Sequence, residues 1–349
     1  MAEIRIGAHL VGPAHRPFVV AEMSGNHNGS LDRALSIVDA VAASGAQALK
    51  LQTYRADTLT VDVDAPPFRI VDENSLWQGQ NLYQLYERAH TPWEWHEPIF
   101  SRARGLGLEV FSSPFDPTAV DLLESLDAVA YKIASAEIVD LPLVDRCART
   151  GRPLIISTGR ATPAEIDAAV RTARTAGNDQ LVVLGCTATY PASPKESNLR
   201  ALPVLAQAFG TLVGLSDHTL GIGVPVASVA FGACLIEKHV TLDRNDGGVD
   251  SPFSLEPPEL AALVTETERA WQALGEPTIG PRESELPGRD RRRSLYVVTD
   301  VVAGDEVTPT NVRSIRPSGG LPPADLPTVQ GRRFRTDAAK GTPLTWDLI

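Results

Sequence analysis

The chain has 349 residues, 43% hydrophobic and 21% charged, a profile that excludes an intrinsically disordered protein and leaves enough apolar material for a large core. Its net charge of -11 excludes a general nucleic-acid binder, which needs a basic surface to meet phosphates. Apolar runs fall short of a membrane span, the N-terminus lacks the basic and apolar regions of a signal peptide, and Cys147, Cys186 and Cys234 have no paired spacing, so a cytoplasmic protein with buried thiols is expected.

From Phe18 onward, short apolar or β-branched runs alternate with helical stretches. Strands are expected at Phe18 to Ala21, Ala48 to Leu51, Leu108 to Phe111, Ala128 to Ile133, Leu154 to Ser157, Leu181 to Leu184, Leu212 to Leu215 and Cys234 to Glu237. Between them, Asp32 to Ala43 has apolar residues at helical spacing, and Thr162 before Pro163 and Glu165 marks a helix start running to Ala176. Strand, helix, strand with right-handed crossovers implies a parallel α/β sheet, and eight units imply a closed (β/α)₈ TIM barrel of ~250 residues. A doubly wound open sheet is the alternative. The barrel is assigned to residues 1–275. Residues 276–293, rich in proline, glycine and charge, read as a linker. Residues 294–349, with a strand at Leu295 to Val298 and turn clusters at Ala303 to Asp305 and Pro317 to Gly320, read as a small β-rich domain expected to dock on a barrel.

In such a barrel the reactive groups gather where strands run out into their following loops. Here that ring is polar: Glu22, Lys50, Gln52, Ser112, Ser113, Lys132, Ser135, Ser157, Cys186, Tyr190, Ser216, Asp217, His218, Glu237, Lys238 and His239. Of 32 basic residues only five are lysine, and three of those (Lys50, Lys132, Lys238) fall at strand ends, a placement that suggests function. Histidines ending neighbouring strands lie ~5 Å apart in backbone, so His218 and His239 can share one ion. An open site with few protein ligands suits Mn²⁺ or Mg²⁺ as a Lewis acid. Lys50 and Lys132 in one mouth repel unless an anion lies between them, which predicts a phosphate or carboxylate ligand. Ser113, Ser135, Ser157 and Ser216 add hydroxyl donors; the bland alternative is that each satisfies a strand-end carbonyl.

With EMSGNHNG (Glu22 to Gly29), KLQTY (Lys50 to Tyr54), SPF (Ser113 to Phe115), YKIAS (Tyr131 to Ser135), GLSDH (Gly214 to His218) and IEKH (Ile236 to His239) in view, the chain resembles the sialic acid synthase family over nearly its whole length. The tail, with NVRSIRP (Asn311 to Pro317) and KGTPL (Lys340 to Leu344), is similar to the antifreeze-like (SAF) domain that follows the barrel in that family. The resemblance implies metal-dependent condensation of phosphoenolpyruvate with an N-acetylated amino sugar, with Mn²⁺ foremost and Mg²⁺ or Co²⁺ as alternatives. It implies phosphoenolpyruvate contacts at Lys50, Ser113, Lys132, Ser135, Ser157 and Ser216, metal ligands at His218 and His239, and sugar contacts at Gln52, Tyr190 and Asp250. It also implies catalytic roles for Glu22, Asp250 and Arg316, the last reaching the partner subunit's site in a homodimer and contacting the sugar there. One departure concerns the sugar: where neuraminate synthases carry an asparagine after Cys-Thr, this chain has Ala188.

The segment Pro66 to Phe100 is longer than a minimal barrel loop and carries Phe68, Trp77, Tyr83, Tyr86, Trp93 and Trp95. It reads as a partial lid, with an ordinary helix packing its aromatics on the barrel as the alternative for Tyr83, Tyr86 and Trp95, and the stretch Leu76 to His96 looks like the pseudaminate branch of the family. That branch implies 2,4-diacetamido-2,4,6-trideoxy-L-altrose rather than N-acetylmannosamine, with a legionaminate-type precursor open. A related synthase making a seven- or eight-carbon keto acid and a noncatalytic carbohydrate-binding protein are the other readings.

Overall fold

Short β-branched runs separated by amphipathic helices leave each strand with one face toward a shared interior and one toward the helices, and the computed structural model resolves them accordingly. It describes residues 3–71 and 75–349, so positions 72–74 of the segment read as a lid lie outside the described residues. An antiparallel hairpin of β1 (Ile4–Ile6) and β2 (His9–Val11) opens the chain. Eight parallel strands follow: β3 (Phe18–Glu22), β4 (Ala48–Thr53), β5 (Glu109–Pro114), β6 (Tyr131–Ile133), β7 (Leu154–Ser157), β8 (Leu181–Cys186), β9 (Leu212–Asp217) and β10 (Leu235–His239). Because β10 pairs with both β9 and β3, the sheet closes into the expected TIM barrel. Expected and observed strands differ most at β6, which starts at Tyr131. The chain is still turning in from the preceding helix at Asp127, whose φ is 52°, and Val129 reaches Val110 O only at 3.5 Å.

Helices form where caps and apolar spacing coincide. Pro163–Thr175 starts at Thr162, whose hydroxyl accepts from Glu165 N while the Glu165 carboxylate accepts from Thr162 N. Leu31–Ser44 is capped by Ser30 and buries Ala34, Ile37, Val38 and Val41 on one face. Among the described residues no helix is long and apolar enough to cross a membrane.

The period of two along each strand sorts side chains into two cores. Val19, Ala21, Leu49, Leu51, Val110, Ile156 and Val183 face the helices. Phe18, Val20, Ala48, Phe111, Ala130, Ile155, Val182, Leu184, Leu212 and Leu235 face the barrel axis, where Ile4, Ile6 and Val11 of the hairpin join them. Since most of these residues belong to the N-terminal halves of their strands, the hairpin plugs that end. One further step of two along the same inward face gives Glu22, Lys50, Ser113, Lys132, Ser157, Cys186 and Glu237. An apolar floor therefore carries a polar layer at the C-terminal mouth.

The second compact unit is Glu276–Ile349. Its strands β11 (Ser294–Val297) and β12 (Val312–Ile315) pair antiparallel, and Leu295, Val297, Val307, Val312, Val329, Phe334 and Leu344 form its own core. The stretch read as a linker is exposed, carries a 3₁₀ helix at Glu283–Arg291 and groups with this unit.

Ile6 is fully buried beneath the barrel floor. Ile6→Ala should lower the stability of the barrel by about 2–4 kcal/mol, the usual cost of such a cavity, while leaving substrate KM values unchanged. Denaturant unfolding alongside steady-state kinetics checks both parts.

Candidate active site

The polar layer is built around four buried ions. Strand register sets Glu22 beside Lys50 and opposite His239, while Glu237, opposite Val20, reaches the same cluster through its side chain. Lys50 Nζ pairs with Glu22 Oε2, lies 3.1 Å from Glu237 Oε2 and donates to Ser113 Oγ at 3.3 Å. Lys132 Nζ lies 3.7 Å from the other oxygen of Glu237 and donates to Ile133 O at 3.2 Å. Ser216 Oγ donates to Glu237 Oε1 at 3.0 Å.

These contacts correct one expectation. The two lysines do not face each other across a gap that only a ligand could fill; Glu237 bridges them and Glu22 takes the other side of Lys50. Glu237 was in the sequence's polar ring but not among the residues given a role, although it stands two before His239 and so shares its face. Burial alone would push both carboxyls up. For Glu237 the two lysines outweigh burial and hold it down at about 2. For Glu22 burial wins over Lys50, and its pKa lies above the ordinary carboxylate value. Burial works against the charge on Lys50, but Glu22 and Glu237 more than offset it; for Lys132 burial prevails and its pKa falls.

None of the four predicted serines satisfies a strand-end carbonyl. Ser113 and Ser216 join the ionic cluster, Ser135 Oγ accepts from Gly159 N at 3.1 Å and contacts Cys186 Sγ at 3.5 Å, and the buried Ser157 Oγ has no partner. An unpaired buried hydroxyl is the mark of a ligand's place. Lys238, Asp217 and Ser112 depart from the expected ring because each stands one residue off the inward-facing set of its strand and so points outward. Lys238 pairs with Asp217 at 2.5 Å behind the sheet, and Ser112 bonds Thr53 Oγ1 at 2.6 Å in a network with His96. They hold the wall and do not line the mouth.

His218 and His239 meet as expected, with ring centroids 5.3 Å apart. His218 Nδ1 bonds Thr187 O at 3.0 Å, which places a proton there and makes Nε2 the ring nitrogen that would face a metal in place of Cys186. His239 Nδ1 is buried without a hydrogen-bond partner, 3.6 Å from Asp250 Oδ2, and burial holds the ring well below its ordinary pKa, in the neutral form that ligates metals. Among the described residues no three His, Cys, Asp or Glu side chains converge on one ion position, so the pair fits a metal whose other ligands are water and substrate. Cys186 and His218 form a hydrogen-bonded pair: burial disfavours charge on both, yet their contact leaves the thiol below and the imidazole above its ordinary value.

Over the histidines lies an aromatic wall. Tyr190 stacks on His218 at 4.5 Å, on Phe253 at 5.3 Å and on Trp77 at 5.6 Å. Trp77 is the member of the inserted segment that reaches this wall, and its Nε1 donates to Val249 O at 3.1 Å. Tyr86 and Trp95 instead pack edge-on against Tyr54 and His27, and Trp93 bonds Tyr54 O. Asp250 is buried, accepts from Ser24 Oγ and has its pKa raised by burial. Its loop is held by Asn26, whose Nδ2 donates to Val240 O and Ser254 Oγ while Oδ1 accepts from Asp250 N and Ser251 Oγ. The polar run after β3 thus serves to position Asp250, a role no spacing in the sequence reveals. Gln52 is half-buried in register with Ser113. Arg316 lies in the second unit, exposed directly after β12.

A closed parallel barrel with buried lysines, an unpaired buried hydroxyl and a histidine pair at its C-terminal mouth defines a barrel enzyme for small anionic substrates. Comparison with known proteins narrows this. The NeuB family pattern matches residues 37–278 and the SAF domain pattern residues 292–349. The chain is 40% identical to a pseudaminic acid synthase of Helicobacter pylori over 95% of its length and 98% of that protein's. It is 38% identical to an N,N'-diacetyllegionaminic acid synthase of Legionella pneumophila, over 95% of its length and 94% of the other's. The crystal structure of an N-acetylneuraminic acid synthetase from Leptospira borgpetersenii superposes with a TM-score of 0.73 at 31% identity, covering 82% of this chain and 94% of that one. The chain belongs to the NeuB family and is a phosphoenolpyruvate-dependent nonulosonic acid synthase with a C-terminal SAF domain.

Glu237→Gln leaves two buried ammoniums with a single carboxylate. The variant should lose about 3 kcal/mol of stability, the scale of a broken buried pair, and recover part of it as inorganic phosphate is added. An unfolding midpoint equal to wild type in phosphate-free buffer would show that Glu237 does not bridge the lysines.

Proposed function

We propose that this enzyme is a pseudaminic acid synthase, joining phosphoenolpyruvate, water and 2,4-diacetamido-2,4,6-trideoxy-L-altrose and releasing phosphate. The observation that carries the sugar assignment is the wall of Trp77, Tyr190 and Phe253 over the histidine pair. An apolar wall suits a 6-deoxy methyl and a second N-acetyl group better than the hydroxyls of N-acetylmannosamine, and each unmatched hydroxyl costs roughly 1 to 3 kcal/mol to desolvate. The name borne by the Helicobacter pylori relative supports the same reading.

In this reading Lys50, Lys132 and the hydroxyls of Ser113, Ser135, Ser157 and Ser216 hold phosphoenolpyruvate. Gln52, Tyr190 and Asp250 orient the open-chain sugar so that its aldehyde carbon faces C3 of phosphoenolpyruvate. His218 and His239 would hold the divalent metal, Mn²⁺ foremost, which when bound supplies Lewis acidity toward the aldehyde oxygen. The enol π pair forms the new C–C bond, the aldehyde oxygen gains a proton to become a hydroxyl, and C2 is left electron-poor. Glu237, held ionised by its lysines, stabilises that centre electrostatically. Glu22, the carboxylate whose pKa is raised, accepts a proton from the water that adds to C2. Cleavage of the bond from C2 to the phosphate oxygen then leaves the keto group as the C2 hydroxyl proton passes to the departing phosphate, and the proton taken by Glu22 balances the one gained at the aldehyde oxygen. Arg316 is assigned to the active site of the second copy in a homodimer.

Chelation should abolish activity and Mn²⁺ restore it in wild type but not in His239→Ala, as followed by phosphate release; full turnover after exhaustive chelation would contradict the metal assignment. The sugar is tested by kcat/KM for the L-altrose derivative, a legionaminate-type precursor and N-acetylmannosamine. The first should be favoured over N-acetylmannosamine by a few orders of magnitude, about two unmatched hydroxyls' worth, and Trp77→Ala should narrow the ratio. A preference for N-acetylmannosamine would overturn the sugar while leaving the chemistry intact.

A further inference from the structure

The ionic cluster leaves an electrostatic gap. Lys50 and Lys132 are already committed to Glu22 and Glu237, which lie against their ammonium groups on the pocket floor, so few uncommitted cationic groups remain there for an anion. Phosphoenolpyruvate carries both a carboxylate and a phosphate, and a water-poor pocket must meet that charge with further cations and donors. The argument rests on the reading that phosphoenolpyruvate binds in this mouth.

The loop after β7 holds such a cation. Two residues past Ser157, Gly159 runs so close to its neighbours that a Cβ there would lie 2.6 Å from Ser135 Oγ and 2.8 Å from Ala188 Cβ. Its N–H also donates to Ser135 Oγ, so the chain is pinned beside that hydroxyl. Arg160 then turns with φ of 65°, a left-handed conformation that glycine or asparagine adopts at lower cost. Strain of this kind persists where the side chain is needed. The guanidinium is tied across to the loop after β8 by Nη2 donating to Ala188 O at 3.1 Å, next to the Tyr190 wall, and pairs with no carboxylate among the described residues. The small Ala188 side chain, the departure noted in the sequence, leaves this approach open.

We propose that Arg160 is a phosphoenolpyruvate-binding residue, its remaining N–H groups donating to the anionic oxygens of the substrate beside Ser135 and Ser157. Arg160 supplies within the barrel's own loops a cationic group that is not committed to Glu22 or Glu237, and its planar fork suits carboxylate or phosphate oxygens.

Arg160→Gly and Arg160→Asn remove the guanidinium at a position where both residues fit the backbone, so both should fold with an unfolding midpoint at or above that of wild type. In Mn²⁺-loaded enzyme the KM for phosphoenolpyruvate should rise on the order of tenfold or more, with the KM for the sugar within about twofold of wild type and Arg160→Lys recovering part of the loss. Arg55→Ala, which removes another exposed arginine of the barrel, stacked on Trp93, should leave the KM for phosphoenolpyruvate unchanged. Calorimetric titration with phosphoenolpyruvate alone separates the two levels of the argument. Equal affinity in wild type and Arg160→Gly would overturn the role of Arg160, whereas failure of the wild-type enzyme to bind phosphoenolpyruvate would overturn the reading beneath it.

Discussion

Two lysines and two glutamates buried side by side in the barrel mouth set the terms for everything around them. A lone buried ammonium would lose its proton or unfold its surroundings, because desolvating a charge costs several kcal/mol. Glu237 bridging Lys50 and Lys132 keeps the pocket ready for an anion in the absence of one, and the serine hydroxyls complete the shell without adding charge. The same arrangement separates the two carboxylates. Glu237, between two cations, is fixed as an anion, while Glu22, with one cation and the deeper burial penalty, is the one poised to exchange a proton.

The barrel makes this cluster possible by giving six of its strands the same order along the inward face, apolar first and polar two residues later. Val20 leads to Glu22, Ala48 to Lys50, Phe111 to Ser113, Ala130 to Lys132, Ile155 to Ser157 and Leu235 to Glu237. The floor, sealed by the N-terminal hairpin, holds the strands at fixed height, so side chains distant in sequence arrive in one layer. Behind it, Lys238 with Asp217 and Ser112 with Thr53 and His96 satisfy polar groups between the sheet and the helices.

Much of this was legible before any coordinates. Alternating strand and helix signals located all eight strands, and adjacent strand ends brought His218 and His239 together, because both inferences depend on local pattern and on one topology. What the sequence left unread depended on direction. A list of strand-end residues does not separate Lys132, which faces the axis, from Lys238, which faces the helices; counting in twos from Leu235 would have done so and would also have drawn out Glu237. The role of Asn26 in holding the loop of Asp250 joins residues more than two hundred positions apart through side-chain bonds, and Trp77 is set apart from the other aromatics of its segment only by where that segment folds back. Neither fact has a periodic signature.

The claim on which the account turns is that Lys132 and Glu237 are charged partners within a neutral cluster. A double-mutant cycle of Lys132→Met and Glu237→Leu, read by equilibrium unfolding in phosphate-free buffer, measures that directly. Removing both partners leaves the neutral Lys50 and Glu22 pair, so the double variant should be more stable than either single one, with a coupling of about 2 kcal/mol or more. Additive losses would mean that the two side chains do not neutralise each other and that the pocket's charge is balanced in some other way.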